Sequence, residues 1–135
     1  MSQARILSLA RSPLMRNFAL SQSGSRLEAR CRTTATTANG LRPHLTSAEG
    51  VLTGKRQHIA FVRRSGRHEL WVDGVLVVAQ DIAGTLAAWD EGCELVIGDD
   101  PGGGFAWRGE VSRVRFYPRA LTADEIERRA IVASR

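Results

Sequence analysis

Apolar and polar residues alternate along much of the chain, which is the pattern of β-strands with one face on a core. The clearest run is 26–33, where apolar residues occupy positions 27, 29 and 31 and charged residues occupy the even positions. We predict a strand there, with its apolar face on a core. Its charged face, which includes Glu28 and Arg30, is predicted to lie in water.

Similar runs predict further strands, and short turn sequences separate several of them. Asp73-Gly74 between two apolar runs is a strong hairpin signal, because both central residues of such a turn must tolerate a positive φ. In the last predicted strand the apolar residues break period two, which suggests a bulge near Ser112. The predicted strands are 5–10, 17–22, 57–64, 67–72, 75–79, 94–98 and 107–117.

Two segments depart from this pattern. Residues 34–54 are rich in Thr, Ala, Gly and Asn and are predicted to form a long loop with at most one short strand. Near the end of the chain, Thr122-Ala-Asp-Glu125 fits a capping box and predicts one short helix. The predicted fold is an all-β, antiparallel β-sandwich with a short C-terminal helix, formed by residues 1–135 as a single domain.

Length and composition agree with one globular domain. The chain has 135 residues, of which 43% are hydrophobic and 24% charged, so it resembles neither a disordered chain nor a membrane bundle. No apolar run reaches the length of a membrane-spanning helix, so direct membrane insertion is not expected. The apolar stretch at 6–10 is shorter than the core of a signal peptide, and we expect no export signal in it.

The charge balance leaves two interpretations open. The net charge is +5, and Lys55 is the single lysine among 19 basic residues. Arginine suits bidentate recognition of carboxylate, sulfate or phosphate groups, which would indicate an anionic partner. The other interpretation is a solvated, arginine-rich surface, since the arginines are spread along the chain. Without a basic stripe carrying interleaved aromatic residues, nucleic acid is not an expected partner.

Several motifs downstream of residue 57 resemble the laminin G-like (LamG-like) domains of the concanavalin A-like lectin/glucanase superfamily. The hairpin Glu69-Leu-Trp-Val-Asp-Gly74 is similar to the family hairpin, and Leu95-Val-Ile-Gly98 to its L-x-I-G strand. The run from Trp107 to Tyr117 resembles the family's last long strand, and Pro118 to Ile126 its closing segment. The resemblance implies a concanavalin A-like jelly roll.

Family domains usually begin with further strands that this sequence does not supply. We therefore expect a domain that lacks its first strands, or a sandwich that another chain completes. An uncompleted sheet edge would favour self-association.

The resemblance also implies candidate site residues. Many LamG-like domains bind calcium through loop carboxylates and carbonyls, and Asp99 and Asp100 are the pair that fits this role. The alternative is that the two aspartates end a strand and hydrogen-bond the turn. Trp107 could stack on a sugar ring with Arg108 beside it, and Trp89 and Tyr117 are further aromatic candidates.

The resemblance implies a non-catalytic recognition module for a carbohydrate or a protein surface, with calcium as its cofactor and a location outside the cell or in its envelope. The glycosidases of the superfamily carry an E-x-D-x-x-E strand, and this sequence has none, so we do not expect an enzyme. A second hypothesis is an accessory domain of a larger envelope or extracellular protein, with no ligand of its own. Whether Cys31 and Cys93 form a disulfide is left open.

Overall fold

A computed structural model describes residues 3–134 and contains two antiparallel sheets and one α-helix. The five-stranded sheet has the order β4-β3-β2-β1-β8, and the three-stranded sheet the order β5-β6-β7. The elements are β1 (Ala4–Ser12), β2 (Met15–Ser23), β3 (Arg26–Cys31), β4 (Leu45–Thr46), β5 (Ile59–Arg64), β6 (Arg67–Val72), β7 (Val75–Asp81), a 3-10 turn at Leu86–Ala88, β8 (Glu94–Ile97) and α1 (Ala123–Ala133).

The two sheets pack their apolar faces together, which confirms the predicted sandwich. Leu27 and Leu45 of the five-stranded sheet share a core cluster with Leu70 and Val72 of the three-stranded sheet. A second cluster joins Phe18 to Phe61 across the sandwich. These contacts bury the alternating apolar residues that define the strands in the sequence, and this burial is the main stabilising contribution to the fold.

The predicted meander forms as β5, β6 and β7. In the hairpin turn, Asp73 has φ +50° and Gly74 has φ +81°, so both residues adopt the left-handed conformation that this turn requires. The Asp73 carboxylate also accepts a hydrogen bond of 2.8 Å from the backbone N–H of His58, which ties the turn to the start of β5.

The predicted capping box is present at α1. The Thr122 hydroxyl accepts from the backbone N–H of Glu125, and the Glu125 carboxylate accepts from the N–H of Thr122. Ile126 is fully buried against Val62 and Leu121, so the helix covers the outer face of the three-stranded sheet.

The predicted strand at 107–117 is wrong, because this segment joins neither sheet and its apolar side chains from Val111 onward are exposed. Val111 and Val114 are three residues apart, whereas Val114 and Phe116 are two apart. A regular strand therefore cannot place all three side chains on one face. The break in period two near Ser112, which suggested a bulge, therefore lies in a segment that pairs with no strand of either sheet.

Two β-bulges decide what lies on the outer face of the five-stranded sheet. Between Arg5 and Leu7 the register of β1 against β2 shifts by one residue, so Arg5 and Ser8 lie on the same face although they are three positions apart. A second shift follows Leu9 and brings Arg16 of β2 to that face as well, opposite Ala10. The bulges thus collect polar residues that a regular period-two strand would separate.

Candidate functional site

Three arginines from three neighbouring strands meet on the outer side of the five-stranded sheet. Arg5 lies on β1, Arg16 on β2 and Arg30 on β3. All three are buried, with exposed fractions of 2%, 0% and 8%. We call this surface the arginine face.

The prediction that the charged side of β3 lies in water is therefore wrong for Glu28 and Arg30. Both residues are buried, because other parts of the chain cover this side of the strand. Gln3 bonds to both side chains, and His44 from the loop before β4 bonds to Glu28. Asp100, from the loop after β8, lies against the neighbouring strands.

Asp100 is the anion at the centre of the arginine face. Its two oxygens accept parallel hydrogen bonds of 2.7 and 2.9 Å from Nη1 and Nη2 of Arg16. Ser8 donates a third bond at 2.5 Å, and Arg5 Nε lies 3.5 Å from Oδ1. Burial by itself would raise the pKa of Asp100, but the bonds from Arg16 and Ser8 and the nearby guanidinium charges outweigh it and lower the pKa to about 2.

The arginine face carries more positive than negative charge. Burial and the charges of Arg16 and Arg30 lower the pKa of Arg5 to about 10, and burial and Arg16 also lower the pKa of Arg30. Arg30 makes no ion pair with a described carboxylate, and the Nε atoms of all three arginines lack a hydrogen-bond partner within the described residues. Buried cations without full compensation are costly, and the positive charge of this cluster is only partly balanced by the described carboxylates.

Glu28 and Gln3 border the arginine face near the start of β1. The Gln3 amide oxygen accepts from Arg5 Nη1 at 2.6 Å and from Arg30 Nη2 at 2.9 Å, while its Nε2 donates to Glu28 at 2.7 Å. Glu28 Oε2 also lies 3.2 Å from His44 Nε2. This bond to His44 is the main cause that lowers the pKa of Glu28, against the effect of burial.

Phe105 adds an apolar surface beside Arg5, at the edge of the arginine face. The Arg5 guanidinium lies over its ring, 4.6 Å from the centroid, and the Arg5 backbone N–H donates to the Phe105 carbonyl. A cation over an aromatic face is held electrostatically, which orients the Arg5 side chain. None of these contacts was predicted, because they join residues far apart in the sequence.

Of the four residues predicted to form a site, Asp99 and Asp100 adopt different roles in one loop. Asp99 Oδ1 accepts from the backbone N–H groups of Asp100 and Phe105, at 2.7 and 2.9 Å, and so closes the glycine-rich loop. Asp100 points the other way, into the arginine face. This geometry matches the alternative that the two aspartates hydrogen-bond the turn and its surroundings.

The pair in this arrangement does not fit a calcium site, because Asp100 is held among guanidinium groups that would repel the ion. Within residues 3–134 no group of three or more His, Cys, Asp or Glu side chains is placed to hold a metal ion. Calcium binding through Asp99 and backbone carbonyls stays a prediction.

Trp107 and Arg108 lie outside the arginine face. The half-buried Trp107 donates from Nε1 to Gln22 Oε1 at 2.9 Å, and its ring packs on the backbone of Gly109. Arg108 is exposed. Among the other aromatic candidates, Trp89 packs against the core and Tyr117 is exposed, and a ligand at any of these residues stays a prediction.

The remaining sequence candidates are placed as follows. Cys31 and Cys93 are free thiols, and burial raises the pKa of Cys31 to about 12. No helix in the described part of the chain is long and apolar enough to cross a membrane.

Comparison with known families supports the fold. A laminin G family model, described as the concanavalin A-like lectin/glucanases superfamily, matches residues 2–127. A search of curated proteins finds no significant match.

Solved structures show the same fold at low sequence identity. The CBM40 of the Ruminococcus gnavus IT-sialidase is 16% identical, with a TM-score of 0.72 over 96% of this chain and 74% of that one. A heptameric SAP-like pentraxin from Limulus polyphemus is 21% identical, with a TM-score of 0.66 over 96% of this chain and 63% of that one.

An S-layer domain-containing protein from Clostridium thermocellum is 20% identical, with a TM-score of 0.49 over 96% of this chain and 63% of that one. The chain thus spans less than two thirds of the S-layer and pentraxin chains.

Proposed function

Because the chain belongs to the concanavalin A-like lectin/glucanase superfamily, we propose that it is a non-catalytic recognition module whose arginine face binds an anionic carbohydrate. The observation that carries this proposal is Arg30, a buried guanidinium that makes no ion pair with a described carboxylate. A carboxylate or sulfate on a ligand would supply the missing negative charge.

The neighbouring groups suit a sugar acid better than a simple anion. Arg5 and Arg30 present donors for a carboxylate, and Glu28 presents an acceptor for a hydroxyl group close by. Phe105 supplies an apolar surface at the edge of the same site. Ring C–H groups of a sugar pack on such aromatic faces, while guanidinium groups fork to its carboxylate.

The fold of two relatives is consistent with this proposal. A module of a sialidase and a pentraxin share the fold, and neither comparison identifies a ligand for this chain. A location outside the cytoplasm, which the family resemblance implies, is part of the proposal. The absence of an E-x-D-x-x-E strand in the sequence supports a role in recognition instead of hydrolysis.

The test is calorimetric titration of the chain with D-glucuronate, with D-glucose as the matched neutral sugar. We expect saturable binding of glucuronate, weak or absent binding of glucose, and affinity that falls as salt is raised, since the recognition is ionic. Arg30→Gln should remove most of the binding, because the guanidinium that would pair with the ligand's carboxylate is lost.

Variants at the loop after β8 distinguish this site from the one predicted from sequence. Arg108→Gln and Trp107→Ala should leave glucuronate binding unchanged, since both residues lie away from the arginine face. Loss of binding in these two variants, with binding retained in Arg30→Gln, would show that the ligand binds at the 99–108 loop and not at the arginine face. Failure of both sugars to bind would favour the second hypothesis, an accessory domain without a ligand.

A further inference from the structure

The side chain of Gln3 occupies the position where the proposed ligand would bind. Its amide oxygen is shared by Arg5 and Arg30, at 2.6 and 2.9 Å, as one oxygen of a carboxylate would be. Its amide nitrogen donates to Glu28 at 2.7 Å, as a ligand hydroxyl would. The single hydrogen bond that Arg30 makes through its guanidinium to a described residue is this one to Gln3.

A carboxamide satisfies the geometry of this position but not its charge. It is neutral, so the cluster of three arginines with Asp100 and Glu28 keeps an excess of one positive charge when Gln3 is in place. A carboxylate at the same point would make charge-assisted hydrogen bonds, which are stronger than bonds to an amide oxygen. The position is therefore filled by a group that an acidic ligand can replace.

Gln3 is also placed so that it can leave. It precedes β1, and it is half-buried whereas Arg5 and Arg16 are almost completely buried. Its side-chain hydrogen bonds to described residues are those with Arg5, Arg30 and Glu28. Moving this one side chain would free the Arg5 Nη1 and Arg30 Nη2 donors that now bond to it.

We propose that Gln3 is an internal competitor of the ligand, which occupies the arginine face until an acidic sugar displaces it. This inference rests on the proposed function, because it concerns the occupancy of the same site. The free energy of the Gln3 hydrogen bonds is then lost on ligand binding, and the observed affinity is lower than the intrinsic one. The protein would respond to ligands that are both acidic and able to donate to Glu28.

The test compares the wild-type chain with Gln3→Ala in titrations with D-glucuronate. Removal of the competitor should tighten binding about tenfold, because the ligand no longer has to break bonds to charged groups. Gln22→Ala is the matched control, since the Gln22 carboxamide bonds to Trp107 and Gly24. That variant should bind as the wild type does.

A second measurement needs no destabilising substitution. The side-chain NH₂ signals of Gln3 in a ¹H–¹⁵N spectrum should move toward free-carboxamide positions as glucuronate is added, while those of Gln22 stay in place. Equal affinities of the wild type and Gln3→Ala, with unmoved Gln3 signals, would overturn the competition and leave the proposed function standing. Absence of glucuronate binding in both chains would overturn the proposed function and this inference together.

Discussion

Arg16 and Asp100 form a buried, bidentate ion pair that joins β2 to the loop after β8, across 84 positions of the sequence. Neither side chain has appreciable solvent exposure. Ser8 bonds to both partners, so the pair is also held to β1. This contact fixes the glycine-rich loop over the arginine face and places the Asp100 carboxylate beside the guanidinium groups of Arg5 and Arg16.

Arg16→Gln should destabilise the fold strongly, whereas Arg30→Gln should not. Loss of Arg16 leaves the buried Asp100 without its bidentate partner, and we expect a cost of about 3 kcal/mol in the free energy of unfolding. Arg30 makes no ion pair with a described carboxylate, and its replacement should change stability by less than about 1 kcal/mol. Urea unfolding of the two variants measures the difference, and equal losses would contradict the assignment of Arg30 as the surplus cation.

Acid should weaken the Arg16–Asp100 pair at low pH. The pKa of Asp100 is lowered from 3.8 to about 2, so the unfolded chain takes up the proton first as the pH falls. The pair's contribution, on the order of 2 kcal/mol, is fully present above about pH 4 and is lost as the pH falls through 2. Carboxyl ¹³C titration by NMR reads this pKa directly, with Asp100→Asn used to assign the signal. A value at or above 3.8 would contradict the prediction.

His68 should make the fold sensitive to mild acid. Burial and the nearby Arg63 lower its pKa from 6.5 to about 4, and Arg63 Nη1 donates to the unprotonated Nε2. The unfolded chain binds the proton between these values, so stability that is present above pH 6.5 falls as the pH drops to 4. We expect a loss on the order of 3 kcal/mol from this residue. His58, whose pKa is also lowered by burial, acts in the same direction.

The free energy of unfolding at pH 7.5 and 4.5 tests the role of His68. His68→Gln should show a smaller difference between the two values than the wild type does, because the neutral amide does not titrate. A pH dependence that survives unchanged in His68→Gln would rule out this explanation.

Gly74→Ala should destabilise more than Gly66→Ala does. Both glycines have a positive φ, at +81° and +73°, so alanine is strained at either position by about 1 kcal/mol. A Cβ at 74 would also lie 3.3 Å from the Cα of Glu127 in α1, whereas a Cβ at 66 meets no atom of residues 3–134 within 4 Å. The difference in Tm between the two variants measures the effect of the contact with the helix. Equal losses of Tm would show that backbone strain alone causes the destabilisation.

The prediction of calcium at Asp99 and Asp100 has a direct test. An ion held there would raise the Tm of the wild-type chain in millimolar calcium, and Asp99→Asn would abolish the increase. Because Asp100 is paired with Arg16, the arrangement of the arginine face leads us to expect an unchanged Tm. An unchanged Tm would contradict the calcium prediction.

The sequence by itself determined the sandwich and its local details. Alternation predicted the paired strands from β1 to β3, Asp73-Gly74 predicted the hairpin, and Thr122 with Glu125 predicted the cap of α1. Each of these depends on interactions between residues close in sequence, or on a periodicity that a single strand carries, so each can be deduced without knowing the rest of the chain.

Only the tertiary structure decided where the arginines lie. Two register shifts bring Arg5 and Arg16 to one face of the sheet, and the charged side of β3 is buried by Gln3 and His44. Asp100 reaches Arg16 from a distant loop. Side-chain alternation along one strand does not reveal a bulge, because a bulge depends on the register with the partner strand. Alternation also does not show which distant residues will cover the outer face of the strand. Burial, and with it the unmatched charge of Arg30, is a property of the assembled fold.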